Sequence, residues 1–286
     1  MHSIFRHLTD RAPLIQRSTL AGAFAGGAAV GTLGGLIGLG GAEFRLPLLL
    51  GPFGIAPLSA VILNKAMSLV VVSSALPIRA ASVPWADVAA AWPIVLNLLG
   101  GSLLGAWTGA SIATRLPSAQ LRRAIAILLV AIAAILLFAH NPESAPVNVL
   151  SAPRIVAGVV AGFAIGVVAS FMGVAGGELL IPTLVLLFGV PLKLAGSLSL
   201  VVSVPTMLVG FGRYSRDRSF SVLRSHGTFA LAMAAGSILG ALLGGRLLGV
   251  IPELILLPAL AAILLISAYK AWTHAKSPRG ASMPPN

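Results

Sequence analysis

The 286-residue sequence contains no cysteine, and only 9% of its residues are charged. Disulfide bonds are therefore excluded. No G-x-x-x-x-G-K-[ST] loop occurs, so the chain does not hydrolyse ATP through a P-loop of its own. The five histidines lack metal-binding spacing, and no nucleophile lies in a pattern with a base. We expect neither an enzyme, nor a metal site, nor a cofactor.

Hydrophobic residues make up 57% of the chain, and its mean hydropathy is +1.00. A soluble domain of this length could not bury so much apolar surface, so the sequence predicts an all-α integral membrane protein. Eight stretches approach the roughly 20 residues of a membrane-spanning helix. They are 18–37, 58–78, 88–113, 121–139, 155–172, 194–212, 226–248 and 251–270. Two shorter apolar pieces, 43–53 and 178–190, each directly follow a glycine-rich motif.

The chain has a net charge of +12, and most of its basic residues lie between or outside the apolar stretches. Examples are Arg6, Arg11 and Arg17 near the beginning, and Lys276 and Arg279 near the end. This distribution is typical of cytoplasmic anchoring and predicts cytoplasmic N- and C-termini. No aromatic-rich basic groove suggests nucleic acid, so we expect none as a partner.

The sequence aligns with itself when it is shifted by 135 residues. The matching residues include a glycine, a glutamate and a proline in each copy: Gly41, Glu43 and Pro47, and Gly176, Glu178 and Pro182. Composition alone does not explain a shared glutamate and proline at fixed spacing, so we infer an internal duplication. The predicted organisation is a cytoplasmic segment 1–17, a first repeat 18–140, a linker 141–153, a second repeat 154–273 and a disordered tail 274–286.

Equivalent loops of the two repeats carry opposite charge bias. The loop 79–87 holds Arg79 against Asp87, whereas its counterpart 213–224 holds four arginines and one aspartate. The remaining loop pairs reverse in the same way, which favours inverted repeats. Inversion needs an odd number of membrane crossings in each half, whereas the eight long stretches give four. The two short pieces must therefore change sides as well, either by crossing fully or by re-entering.

A glycine cluster precedes each short piece and predicts a broken helix. Gly40 and Gly41 in the first half, and Gly176 and Gly177 in the second, permit positive φ angles. A break in a membrane helix leaves backbone groups unpaired, so it must line a cavity or be buried in protein. Helix amides at 42–44 and 177–179 would favour an anion there.

Charged residues follow each break. Glu43 and Glu178 are either favourable acids in a first helical turn or protonatable carboxylates at a substrate site. Arg45 points away from Glu43 on a helix and is expected to pair elsewhere. Leu180 occupies the position equivalent to Arg45, so the two halves differ chemically.

Lys65 is a further intramembrane charge, with Asn64 beside it and Ser68 one turn later. The equivalent segment of the second half offers Ser197, Ser199 and Ser203. Lys65, Asn64, Ser68 and these serines are candidate ligands of an oxyanion. A structural lysine paired with Glu43 or Glu178 is the alternative.

The motifs "GLIGLGGAEFRLPLLL" and "GVVASFMGVAGGELLIPTLVLLFGVPLKLAGSLSL" resemble the sulfite exporter TauE/SafE family over about residues 18–272. The resemblance implies a bacterial inner-membrane carrier of small sulfur-containing anions, such as sulfite or organosulfonates, driven by the proton gradient. The motif glycines and prolines of that family would correspond here to Gly38, Gly40, Gly41, Pro47, Gly173, Gly176, Gly177 and Pro182. Glu43 and Arg45 depart from the small or aliphatic residues of many members.

These observations favour a secondary anion transporter that works by alternating access at the two breaks. A channel-like or facilitative anion pore is the main alternative, and a membrane enzyme or assembly factor is the third. The expected partners are a small inorganic or organic anion, protons and the lipid bilayer. A homodimer is left open.

Overall fold

The structure is a computed structural model that describes residues 11–37, 41–80, 84–138, 151–246 and 253–274. Within these ranges every regular element is helical. The α-helices are α1 Arg11–Ile37, α2 Ala42–Leu50, α3 Pro57–Ala80, α4 Trp85–Ala90, α5 Trp92–Ala113, α6 Ser118–Phe138, α7 Ala152–Met172, α8 Gly177–Phe188, α9 Leu192–Tyr214, α10 Val222–Ser225, α11 Gly227–Arg246 and α12 Glu253–His274. A 3₁₀ turn, Arg218–Ser221, joins α9 to α10.

The all-helical membrane fold is confirmed, because a helix lies at each of the eight predicted apolar stretches. Five segments of the described chain are long and apolar enough to cross a membrane. They are Pro57–Ala75, Trp92–Ala113, Ala152–Met172, Leu194–Tyr214 and Gly227–Gly244. The count of eight long and two short membrane segments stays a prediction.

Parts of the predicted organisation lie outside the described residues. These are 1–10 of the N-terminal segment, 38–40, 81–83 and 139–140 of the first repeat, 141–150 of the linker, 247–252 of the second repeat and 275–286 of the tail. Helix α1 begins at Arg11, seven residues before the predicted apolar stretch. Helix α7 begins at Ala152, inside the predicted linker, because Ser151 takes an extended conformation and Pro153 suits the first turn of a helix.

Glycines in the left-handed conformation form the predicted breaks. Gly41 (φ 67°) precedes α2 and Gly176 (φ 81°) precedes α8, while Gly173 (φ 66°) ends α7. A side chain at Gly41 would also overlap the carbonyl oxygen of Val30. Only glycine combines this backbone angle with so close an approach. The short helices α2 and α8 therefore start where the sequence predicted.

The two halves interlock through two helix pairs that glycines hold in close contact. Helix α1 packs against α11, and α5 packs against α7. A Cβ atom on any of these glycines would overlap a backbone carbonyl of the facing helix: Gly27, Gly31, Gly236 and Gly240 in the first pair, and Gly101, Gly105, Gly162 and Gly166 in the second. The shift of 135 residues converts one set of contacts into the other. Each half thus contributes the same two helix faces to the core.

We predict that Gly101→Ala lowers the free energy of unfolding by about 1–3 kcal/mol, because its Cβ would overlap the Val159 carbonyl oxygen. The adjacent Gly100→Ala is the matched control, since nothing lies within 4 Å of a Cβ there. Thermal unfolding of both variants in detergent measures the difference. Equal stability of the two variants would contradict close packing of α5 on α7.

Candidate functional site

A small cavity lies where the two short helices meet α3 and α9. It encloses about 40 Å³, which is room for about three water-sized groups. Its lining consists of Ala42, Ser68, Val71, Val72, Ala175, Gly177, Glu178, Ser199, Leu200 and Ser203. Ala42 and Gly177 are the first residues of α2 and α8, and Ser68 and Ser203 are also equivalent under the 135-residue shift. The cavity is therefore built from matching positions of both halves.

Five of the predicted site residues line this cavity: Ser68, Gly177, Glu178, Ser199 and Ser203. Arg45 and Asn64 lie behind Ser68, as the hydrogen bonds below show. Gly41 and Gly176 form the breaks, whereas Lys65 and Ser197 do not line the cavity. Gly40 lies outside the described residues.

Four lining residues were not predicted from the sequence: Val71, Val72, Ala175 and Leu200. Ala42 was predicted only through its backbone amide, which belongs to the amides expected at 42–44. Val71 and Val72 carry no chemical signal, since apolar residues in a membrane helix are expected on every face.

Asn64 connects the two breaks. Its side-chain nitrogen donates to the carbonyl oxygens of Ala42 and Met172, both at 3.0 Å. Ala42 begins α2, and Met172 is the last residue of α7, where helix carbonyls lack helical partners. One fully buried side chain thus partners backbone from both halves, as a break away from water requires.

Arg45 places a fixed positive charge next to the cavity. Its side chain is 0% exposed, and Nη1 donates to Asn64 Oδ1 at 3.4 Å and to Ser68 Oγ at 3.2 Å. Its Nε and Nη2 atoms have no hydrogen-bond partner among the described residues. The guanidinium group is therefore held by α3 and keeps donors available.

Glu43 and Glu178 bring the two breaks into electrostatic contact. Both side chains are buried, and the two carboxyl groups act directly on each other. Within the described chain, neither oxygen of Glu43 has a hydrogen-bond partner, and neither has Oε2 of Glu178. Two ionised carboxylates cannot donate a hydrogen bond to one another, whereas a single proton between them permits one.

Lys65 lies away from the cavity. Its amine donates to the carbonyl oxygen of Ala169 on α7 at 3.4 Å. The side chain crosses Gly210 on α9, where a Cβ atom would come within 2.8 Å of Lys65 Cε. The expected alternative, a pair with Glu43 or Glu178, is not the contact that Lys65 makes. Leu200, at the equivalent position of the second half, lines the cavity instead.

The family model described as "Sulfite exporter TauE/SafE" matches residues 23–271, which is most of the chain. The chain belongs to this family. Neither a curated protein nor a solved structure matches it. Membership of the TauE/SafE family, together with the apolar helices, makes it a multi-pass membrane protein of a transporter family that handles sulfur-containing anions.

Proposed function

We propose that this TauE/SafE protein is a secondary transporter of a small sulfur-containing anion, such as sulfite or an organosulfonate, across the bacterial inner membrane. The observation that carries the proposal is the buried cavity between matching elements of the two halves, with Arg45 directly behind its Ser68 wall. Cavities at paired helix breaks are where secondary transporters bind their substrates.

The two halves are inverted relative to each other in this proposal. Inversion requires equivalent helices of the two halves to run in opposite directions, and two pairs of equivalent helices support this. On α3 and α9, Lys65 lies against Gly210, whereas Val72, further along α3, shares the cavity with Ser199, earlier on α9. Inverted repeats are the usual framework for alternating access around a central site.

The second observation concerns α6 and α12. Arg123, near the beginning of α6, lies 6.0 Å from the ring centre of Trp272, near the end of α12. These helices are equivalent under the 135-residue shift, so their opposite directions also fit inverted halves.

Arg45 supplies the positive charge for the anion in this mechanism, acting through Ser68. The amides at the beginnings of α2 and α8 add partial positive charge. Those of Phe44 and Leu179 donate to the carbonyl oxygens of Gly41 and Gly176, which narrows the proposed anion ligands to the amides at 42–43 and 177–178. Lys65, which faces α7, has a structural role.

Glu43 and Glu178 carry the coupling proton. Both carboxyl groups are buried, and Glu178 lines the cavity. An anion that enters beside Glu178 is repelled by any ionised carboxylate, so its binding favours protonation of the pair. Release of the anion then releases the proton on the same side. One half rocks against the other between these two steps.

We predict that Glu43→Gln and Glu178→Gln each make sulfite transport less dependent on pH, because a neutral amide cannot take up the coupling proton. Initial rates of radiolabelled sulfite flux into proteoliposomes, measured over a pH series, test this. The exposed Asp87→Asn is the matched control and should keep the wild-type profile. An unchanged profile in both Gln variants would remove the two carboxyl groups from coupling.

We predict further that Arg45→Leu, which installs the residue found at the equivalent Leu180, weakens sulfite binding by about tenfold or more. Lys65→Met should leave the affinity nearly unchanged, since the Lys65 amine bonds to the Ala169 carbonyl oxygen. Equilibrium binding of radiolabelled sulfite to detergent-purified protein measures both, with thermal unfolding as the check on folding. A larger loss of affinity in Lys65→Met than in Arg45→Leu would reverse the two roles.

A further inference from the structure

The three serines of the cavity differ in what they offer a ligand. A serine hydroxyl carries one hydrogen to donate and lone pairs that accept. Which of these faces the cavity depends on how the hydroxyl is already bonded. Ser68, Ser199 and Ser203 are all buried, so protein groups rather than water set their bonding.

Ser199 and Ser203 have already used their hydrogens. The Ser203 hydroxyl donates to the carbonyl oxygen of Ala175 at 2.8 Å, and the Ser199 hydroxyl donates to that of Gly196 at 2.9 Å. Both acceptors are backbone atoms. Toward the cavity these two serines present lone pairs, so they can only accept a hydrogen bond from a ligand.

Ser68 has the opposite polarity. Its oxygen accepts a hydrogen bond from Arg45 Nη1, so its own hydrogen is available for the cavity. The positive charge of the guanidinium strengthens that donor. Ser68 and Ser203 are equivalent in the repeat, but only Ser68 has an arginine beside it. The second half has Leu180 at the position of Arg45, so Ser203 receives no such hydrogen bond.

Glu178 adds a further acceptor beside Ser199 and Ser203. Its side chain lines the cavity, and a carboxylate oxygen accepts hydrogen bonds. Among its side chains, the cavity therefore has a donor wall at Ser68 and an acceptor wall at Ser199, Ser203 and Glu178.

We propose that the cavity selects anions that carry a hydrogen-bond donor of their own. Such an anion places an oxygen against Ser68 and an O–H or N–H group against Ser199, Ser203 and Glu178. Hydrogensulfite and aminosulfonates have this chemistry, whereas a fully deprotonated sulfonate has none. The inference rests on the proposed function, because it takes this cavity as the substrate site.

Methanesulfonate and singly charged methylphosphonate test the proposal, because they share shape and charge and differ by one O–H group. Each is competed against radiolabelled sulfite on detergent-purified full-length protein, at a mildly acidic pH where methylphosphonate carries one charge. We expect methylphosphonate to compete about tenfold more tightly, since a buried acceptor without a partner is costly. Equal competition by the two anions would overturn the proposal.

Serine variants show which side chains cause the preference for methylphosphonate over methanesulfonate. Ser203→Ala removes an acceptor and should reduce the preference for methylphosphonate, whereas Ser68→Ala should weaken both anions alike. Ser199→Ala tests the same acceptor wall if Ser203→Ala does not fold. The exposed Ser215→Ala, whose hydroxyl donates to the Gly212 carbonyl oxygen, is the control for losing a backbone-bonded serine. A preference that survives both acceptor-wall variants unchanged would also overturn the proposal.

The same experiment separates this inference from the proposed function. If sulfite does not bind at all, the proposed function fails, and the selectivity proposal fails with it. If sulfite binds and both test anions displace it equally, the anion site stands and only the donor requirement is wrong.

Discussion

A helix break inside a membrane protein must bury its exposed backbone groups in protein or turn them to a cavity, and Asn64 partners one of those groups here, the Met172 carbonyl oxygen. Its side chain joins the beginning of α2 to the end of α7 through the carbonyl oxygens of Ala42 and Met172. The left-handed Gly41 directly precedes Ala42, and the left-handed Gly173 directly follows Met172, so this one side chain acts at the edge of both breaks. The cavity lies between these two breaks.

A duplicated framework carries an asymmetric site. The glycine contacts of α1 with α11 and of α5 with α7 repeat under one shift of the sequence, so packing treats the two halves alike. Arg45 breaks this equivalence. It fixes the polarity of Ser68, while Ser203 is bonded to backbone. In the proposed mechanism, the similar packing of the two halves lets them exchange conformations during transport. The unlike serines of the cavity hold the substrate in one orientation.

Much of this arrangement could be predicted from the sequence, because glycine, proline and charge in a membrane helix are unusual. The breaks, the short helices and the contribution of Ser68, Glu178 and Ser199 to one site follow from them. The sequence did not predict which face of α3 is turned toward the cavity. Asn64 and Ser68 lie four residues apart on one face, whereas Lys65 points to α7. Apolar residues surround the whole helix, so hydropathy does not reveal which face meets the cavity.

We propose that the cavity between the two halves is the anion site of an alternating-access carrier. Counterflow tests it most directly: proteoliposomes loaded with unlabelled sulfite are diluted into a trace of labelled sulfite without any ion gradient. We expect the label to accumulate transiently above its equilibrium level, because a carrier exchanges one anion for another at a single site. Simple equilibration of label, at the same rate in loaded and empty vesicles, would contradict it and identify a pore.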